Sequence, residues 1–579
     1  MKKKIFKICM IGLLLVSCNN KQTSDSVSDS SASSVDSSVS TSTLDNSSSK
    51  ETKIELKTKK NSKIYLSDDY SYDLATTFFT FDEDIPYINL NYFINNFLVQ
   101  YNNSIQHYSI AKNVITNIDT KVSLTFDVEN NKIYTNDLDQ FMNIFNLNKN
   151  SNDIIDISLN VHAEYSENDS SYTKGKEITI DLNDFHTKIV GYENETYVPF
   201  SYLDNIFCSH SSNRFVFNGD NFYNSAIDLM KGQDGDLNTY GNAYYSGSLA
   251  SLKERSDSYI NYFYYSFLFE LLYNDGKNTY DVTSLDKKLE ELGLKSELRS
   301  KDSKTASLAI AKTLYTVFSD GGHTRFTNLG FTTPYNEKNN DEASRLIYSM
   351  DSRNKKLVDT FDSLKAKRGD LASNLTIEGE TAILRFDEFD ESETVSTFNL
   401  FKESFETIQE NKSVKNVVFD ISLNGGGAAM SLCDALSFLT DEPIKIKTKN
   451  PNTGAINVES CKIDNNKDGN FDDNDSYQGK YKYYVLTSNF SYSCANAFAV
   501  YCKDYNLAKI IGQRSGGGDC SVAGGVSVDG SCWNMSSTSM LIRKDNSSYD
   551  DGAALDYELD DSYFYDGSKL NTYLSGLTK

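Results

Sequence analysis

The chain has 579 residues, and roughly two to four domains is the expectation for that length. Its 81 acidic residues outnumber 57 basic ones, giving a formal charge of −24. That excludes nucleic acid as a partner class, because phosphate recognition needs a basic surface, and it disfavours general adhesion to anionic lipid.

The first residues, "MKKKIFKICMIGLLLVSC", place four Lys before an apolar run too short to span a bilayer. This resembles a bacterial lipoprotein signal peptide over residues 1–18, with "LVSC" as lipobox. The resemblance implies a lipid on Cys18, and hence a protein held at the cell membrane on its extracytoplasmic face. Residues 19–52 are Ser-rich with almost no large apolar side chains, so they predict a disordered tether.

Residues 53–220 predict a β-rich N-terminal domain, with strand-like runs such as "KIYL" and "KEITIDL". Two of its segments echo each other, "DIPYINLNYFINNF" at 84–97 and "ETYVPFSYLDNIF" at 195–207. Each predicts a short strand running into a helix. The pattern resembles the copper-amine-oxidase N-terminal-like domain, without implying copper: His107, His162, His186 and His210 have no ligand spacing. Residues 221–322 predict helices, among them "DSYINYFYYSFLFELLYN" and "TASLAIAKTLYTVF". From about 380 the pattern changes to alternating strands and helices, so residues 323–579 predict an α/β core with several crossovers. Removing Cys9 with the signal and assigning Cys18 to lipid leaves seven cysteines. Cys520 with Cys532 is the first disulfide candidate in an oxidising compartment. No CxxC pair points to zinc.

Four segments of this core carry chemistry. "TSNFSYSCANAF" (487–498) follows an apolar strand and opens a helix near Ser493 or Cys494. A side chain there lies beside unpaired helix N–H groups, which favour developing negative charge; an N-cap is the competing role for Ser493. "DISLNGGG" ends a second strand, and Gly425, Gly426 and Gly427 let the backbone approach a substrate and turn N–H groups outward, as an oxyanion hole needs. The segment lacks the Lys-Ser/Thr of a P-loop. "SDGGHTRF" holds His323, the only His after residue 210. "IIGQRSGGGDCSV" adds a further Gly-rich turn.

Taken in order, these segments resemble the C-terminal-processing (tail-specific) serine peptidase family over roughly residues 221–570. The resemblance implies a ClpP/crotonase-like spiral βα core behind the helical segment and the β-rich domain, and peptide-bond hydrolysis on protein or peptide substrates. It implies Ser493 as nucleophile and the N–H groups of Cys494 and of Gly425 or Gly426 as oxyanion hole. No cofactor is required for catalysis. Gly518 stands where the family's dyad branch has Lys, so the resemblance implies the His-containing branch, akin to the tricorn core, with His323 as base. Its carboxylate precedes Gly552 in "SSYDDGAALDYELDD": Asp551 first, Asp550 second, with Asp556 structural. The residues between His323 and the strand near 382 look helical, so no PDZ domain is expected there. Ser422 in place of the family's Arg, and a missing Pro in the tail, keep a second reading open: a surface lipoprotein with a degenerate peptidase fold that binds peptide.

One motif stands apart. "DNNKDGNFDDND" follows an EF-hand calcium loop, with Asp464, Asn466, Asp468, Asn470 and Asp475 at positions 1, 3, 5, 7 and 12. Strand-like flanks suggest a structural calcium loop, or an acidic surface hairpin, just before the nucleophile strand.

Overall fold

The computed structural model of the chain describes residues 54–102, 104–143, 162–209, 213–232, 236–252, 254–331, 337–392 and 396–577. The signal peptide, Cys18, the Ser-rich tether and His210 lie outside them.

Between residues 56 and 224 the chain builds a seven-stranded and a five-stranded sheet. The two echoing segments are neighbours in the larger sheet. Asp82–Asn89 and Glu195–Pro199 pair antiparallel, Val198 opposite Ile88, and each runs straight into a helical segment. Pro199 suits that junction, since it fixes the φ of the last extended residue and its missing N–H falls where no ladder bond is needed.

The N-terminal segment does not close on itself. His162–Tyr165 and Ser171–Thr173 leave it and pair with a strand some 290 residues later in the chain, with Cys461 opposite Tyr165 and Val458 opposite Ser171. One apolar cluster joins Phe93 and Phe207 of the β-rich segment to Phe267 and Leu314 of the helices and to Trp533 near the C-terminus. The sequence boundaries at 220 and 322 therefore separate patterns of secondary structure, and the core runs through both.

The helices of the middle segment include α1 (Asp257–Asn274) and α2 (Ser303–Val317). After a short strand β1 (Arg325–Asn328) come α3 (Glu337–Met350) and α4 (Ser352–Arg368), so the stretch after His323 is helical where it is described. The α/β core then follows: β2 (Leu375–Glu378), β3 (Thr381–Arg385), α5 (Thr397–Glu410), β4 (Asn416–Asp420), α6 (Ala429–Ser437), β5 (Ile444–Lys449), β6 (Ile456–Asp464), β7 (Lys482–Thr487), α7 (Cys494–Asp504), β8 (Lys509–Gly512), β9 (Cys520–Val526), β10 (Cys532–Leu541) and β11 (Tyr557–Glu558). One six-stranded sheet runs β2–β3–β4–β7–β8–β11, parallel from β3 onward. Its central strands are continuous apolar runs, as expected for strands covered on both faces; Val417, Val418, Phe419 and Val485 are fully buried. A second sheet runs β1–β10–β5–β6, with β9 on β10, and brings β1 beside the C-terminal hairpin.

Two expectations fail on strand register. Cys520 lies opposite Met540 and Cys532 opposite Val526, six residues apart along β9, or about 20 Å at the usual rise. A disulfide needs Cα atoms within roughly 7 Å, and both cysteines are free. The acidic loop 464–475 does not cap a hairpin either. Its flanks β6 and β7 belong to different sheets, so it is a crossover.

A buried ion cluster ties the pieces together. Arg214, 1% exposed, donates to Asp204 (2.8 Å) on the helix Phe200–Cys208, to both oxygens of Glu270 on α1 (2.5 and 2.9 Å), and to the Gly524 carbonyl on β9 (2.7 Å). Removing one member strands the other charges in the interior, which costs about 3–5 kcal/mol. Arg214→Ala should lower the stability of the full chain by that amount in urea denaturation, whereas an exposed pair such as Lys57–Glu83 should contribute under about 1 kcal/mol.

Candidate active site

The hydroxyl-rich stretch after β7 divides its work. Thr487 Oγ1 donates to the Gln513 carbonyl (2.6 Å), Ser488 Oγ to that of Ser422 (2.6 Å) and Ser491 Oγ to that of Ile421 (2.7 Å). These three hydroxyls stitch the turn to the ends of β4 and β8. Ser493 differs. It precedes α7 but its side chain makes no capping hydrogen bond, and it is only partly buried. Its backbone sits at φ 55°, ψ −124°, a region that costs a non-glycine residue about 1–3 kcal/mol. The same sharp strand-to-helix turn presents a nucleophilic serine in other hydrolase folds.

The neighbouring chain segments enforce that backbone. Ser493 N–H donates to the Gly517 carbonyl (2.9 Å), and Tyr492 N–H to that of Asn424 (3.3 Å). Gly426 packs so closely that a Cβ there would lie 2.7 Å from Ser493 Cβ. The ring of Tyr492 fills the space behind, where a Cβ on Gly322 or Gly518 would fall 2.4 or 2.5 Å from it. Gly518, read in the sequence as a missing Lys, is small because an aromatic ring occupies that volume.

The glycine loop after β4 is ordered by Asn424, whose Oδ1 accepts the Gly426 N–H at 2.9 Å. Gly426 is therefore a close-packing residue rather than an oxyanion donor, its N–H being already used. Next to it, Phe389 N–H donates to the Gly426 carbonyl and Ala428 N–H to the Phe389 carbonyl. In such a parallel bridge the polar groups of the middle residue, Gly427, face the other way. Its carbonyl there accepts the Cys494 thiol at 3.0 Å. Gly425 is exposed at the tip of the loop. The Cys494 thiol is buried, and burial pushes its pKa up to about 12, which removes it as a competing nucleophile. Ser422 donates to Asp420 (2.6 Å), and the cation beside that buried carboxylate is Arg385 on β3 (3.1 Å).

His323 is buried just before β1, its ring edge-to-face on Tyr492 at 5.0 Å. Its Nδ1 lies 3.2 Å from Ser536 Oγ on β10, and Ser536 in turn donates to Asp320 Oδ2 at 2.5 Å. A hydroxyl that spends its proton on a carboxylate can only accept from the imidazole, so Nδ1 carries the hydrogen and Nε2 the lone pair. Nε2 is buried and has no hydrogen-bond partner among the described residues. The other oxygen of Asp320 accepts the N–H groups of Gly322, His323 and Thr324 at 2.9–3.1 Å, which fixes the loop around the histidine. Burial lowers the His323 pKa below its ordinary value, with Asp320 and Asp519 opposing, so the ring is neutral at pH 7.

The carboxylate joined to His323 is thus Asp320, through Ser536, and not Asp551 or Asp550. Asp551 is exposed on its turn. Asp550 accepts both Arg353 guanidinium nitrogens (2.6 and 3.0 Å), the Gly518 N–H (3.0 Å) and an ion pair from Lys277 (3.2 Å). Burial alone would raise its pKa, but the Arg353 hydrogen bond and the two cations hold it far below the usual carboxylate range. It braces the Gly516–Gly518 turn. Asp556 pairs with Lys503 at 2.8 Å. The sequence motifs contain Asp320 and Tyr492 without assigning either a role, and Ser536 lies outside them. No spacing links a β10 serine to a histidine 213 residues earlier.

In the acidic loop, Asp464 accepts the N–H groups of Asp468 (3.2 Å) and Gly469 (2.8 Å). Asp475 accepts those of Asn466 (3.2 Å) and Asp472 (3.0 Å). Asp468 is turned outward to the N–H of Asn470. Among the described residues no three His, Cys, Asp or Glu side chains are grouped so as to hold a metal ion.

Residues 380–559 match peptidase family S41, a span that includes the glycine loop, Ser493 and Ser536. No curated protein matches the chain. Among solved structures it is similar to a provisionally assigned peptidase from Parabacteroides merdae ATCC 43184 (16% identity, 56% of this chain and 97% of that one, TM-score 0.39). It is also similar to a lipoprotein from Streptococcus agalactiae (12% identity, 56% and 98%, TM-score 0.35). A third is mature CPAF complexed with lactacystin (13% identity, 54% and 96%, TM-score 0.35). By the match at residues 380–559, the chain carries an S41 peptidase domain and is a serine-type peptidase.

Proposed function

We propose that the protein is a lipid-anchored, extracytoplasmic serine peptidase in which Ser493 is the nucleophile and His323 the general base. The observation that carries this reading is the Ser493 backbone, strained at φ 55° with its hydroxyl withheld from capping. Ser493 Oγ attacks a peptide carbonyl carbon while His323 Nε2 takes its proton. The N–H groups of Cys494 and Gly427 bond the tetrahedral oxyanion. His323 then gives the proton to the leaving amine, and water repeats the sequence on the acyl-enzyme. Asp320, acting through Ser536, holds the imidazole in the Nδ1–H tautomer and stabilises the imidazolium; it touches no substrate and is a positioning residue.

A fluorophosphonate probe should label the wild-type protein, and Ser493→Ala should abolish both labelling and hydrolysis of unfolded protein without altering its circular dichroism. Labelling that persists in Ser493→Ala but disappears in Cys494→Ala would move the nucleophile by one residue.

The relay gives a second test. Ser536→Ala and Asp320→Asn should each lower kcat/KM by about 10²–10⁴-fold, and Asp551→Asn should change it little. Only neutral His323 can accept a proton, so activity is lost as pH falls through its pKa. That acid limb should lie below the ordinary histidine value of about 6.5. Asp320→Asn removes a charge that favours the imidazolium, so the limb should move lower still. A limb that Asp551→Asn shifts and Asp320→Asn does not would return the acid to the tail motif.

The anchor is part of the same proposal and is supported by the lipobox-like "LVSC". Mass spectrometry of the mature N-terminus should find lipid on Cys18, and a soluble product cut elsewhere would refute the anchoring.

A further inference from the structure

Cys433 on α6 and Cys461 on β6 are free thiols that the fold brings together from 28 positions apart. Neither has a part in the catalytic scheme. Cys433 is 4% exposed, inside the apolar cluster of the α/β core, and Cys461 is half-buried against the same cluster.

Two periodicities set them face to face. On α6, Cys433 and Ser437 are four residues apart and share one face of the helix. On β6, Cys461 and Ile463 point to one side of the strand, and Asn465 follows the strand's last residue. These two surfaces meet. Ser437 Oγ donates to Asn465 Oδ1 at 3.0 Å, which fixes the end of α6 on the end of β6. Ile463 is buried in the cluster that holds Cys433, and α6 packs on β6. One turn back along the helix, the Cys433 thiol is hydrogen-bonded to that of Cys461; this bond, and then burial, hold the Cys433 thiol well above its ordinary pKa. Other thiols are placed differently. Cys494 spends its hydrogen on the Gly427 carbonyl, and Cys520 and Cys532 stand at opposite ends of a hairpin.

We propose that Cys433 and Cys461 form a disulfide in the mature protein, clamping the helix that follows the glycine loop onto the second sheet. The proposal rests on the extracytoplasmic location, where thiols meet disulfide oxidants. Half-exposed Cys461 is the sulfur such an oxidant reaches. Its thiolate attacks the oxidant's disulfide, whose bond breaks and releases one thiol, leaving a mixed disulfide on Cys461. The Cys433 sulfur gives up its proton, attacks the Cys461 sulfur and expels the second thiol. Two protein thiols are thus oxidised to one disulfide, one oxidant disulfide is reduced to two thiols, and the two protons end on those thiols. The closed loop contains β5, and cross-linking it stabilises the fold mainly by constraining the unfolded chain. Because α6 begins at Ala429, just after Gly427, the same bond anchors the helix on which the glycine loop ends.

The test reads the pairing in two settings. In the first, the full chain is isolated from cells quenched in acid, its free thiols are blocked with N-ethylmaleimide in denaturant, and it is digested without reductant. The peptides carrying Cys433 and Cys461 should appear joined, while Cys520 and Cys532 carry maleimide. Maleimide on both Cys433 and Cys461, in protein that bears lipid on Cys18, overturns the proposal. In protein without that lipid the same result overturns the location instead, and the second setting decides the pair. There the folded, reduced full chain is incubated with oxidised glutathione. Cys433 and Cys461 should again be joined, and the oxidised form should melt about 5 °C above the reduced one. Cys461→Ser, at a half-buried position, should fold and show no such gain. A glutathione adduct that persists on Cys461, a Cys433 and Cys461 that both stay reduced, or a cross-linked form that melts no higher than the reduced one overturns the proposal.

Discussion

The site depends on a serine held where a serine does not want to be. At φ 55° and ψ −124° the backbone of Ser493 would relax if its surroundings let it. They do not, because the peptide groups on both sides are committed. Tyr492 N–H is bonded to the glycine loop, Ser493 N–H to the Gly517 carbonyl, and the Ser493 carbonyl accepts the Ala497 N–H at 2.8 Å inside α7. Three chain segments from different crossovers converge on two residues. The strain is met by the packing of the whole sheet, and the hydroxyl is delivered at a helix start without becoming its cap.

Tyr492 carries this local constraint to His323. Its ring lies against Gly322 and Gly518 and meets His323 edge-on, and its hydroxyl donates to the Asp320 carbonyl at 3.0 Å. Tyr492 therefore touches both His323 and the loop that carries Asp320. The glycines follow from this. Each stands where a Cβ would overlap the ring, so Gly322 and Gly518 share one steric cause.

Much of this was legible in the sequence, for a physical reason. Strand-to-glycine-to-helix transitions are local, so the Ser493 turn, the 425–427 loop and the His323 segment could be found from contiguous residues. The helical stretch after His323 and the α/β alternation beyond 380 were equally local. What failed required register between distant strands. Cys520 and Cys532 look like partners at twelve residues' separation, yet β9 and β10 place them at opposite ends of a hairpin. The acidic loop seemed to join two paired strands, but β6 and β7 enter different sheets. Ser536 sits in "NMSSTSM", where no pattern sets it apart, and only the β1–β10 pairing of Arg325 with Asn534 brings that part of the strand to the histidine. Asp551 and Asp550 were chosen by position in a motif, and the structure gives Asp550 to Arg353 and Lys277 instead.

The link from Asp320 through Ser536 bears on how His323 is tuned. A carboxylate in direct contact with an imidazole pulls its pKa up strongly. Here Asp320 Oδ2 stands 4.0 Å from Nδ1, with Ser536 between. The hydroxyl transmits orientation and part of the electrostatic field, so burial remains the larger influence and the ring stays neutral. Asp320 spends its other oxygen on three backbone N–H groups, which fix the loop that carries it. The arrangement keeps His323 neutral with its hydrogen on Nδ1 and leaves Asp320 within one hydroxyl's reach of the ring. Lys277 also lowers the His323 pKa, against Asp519 and Asp550, which raise it, and Lys277 and Arg353 both pair with Asp550.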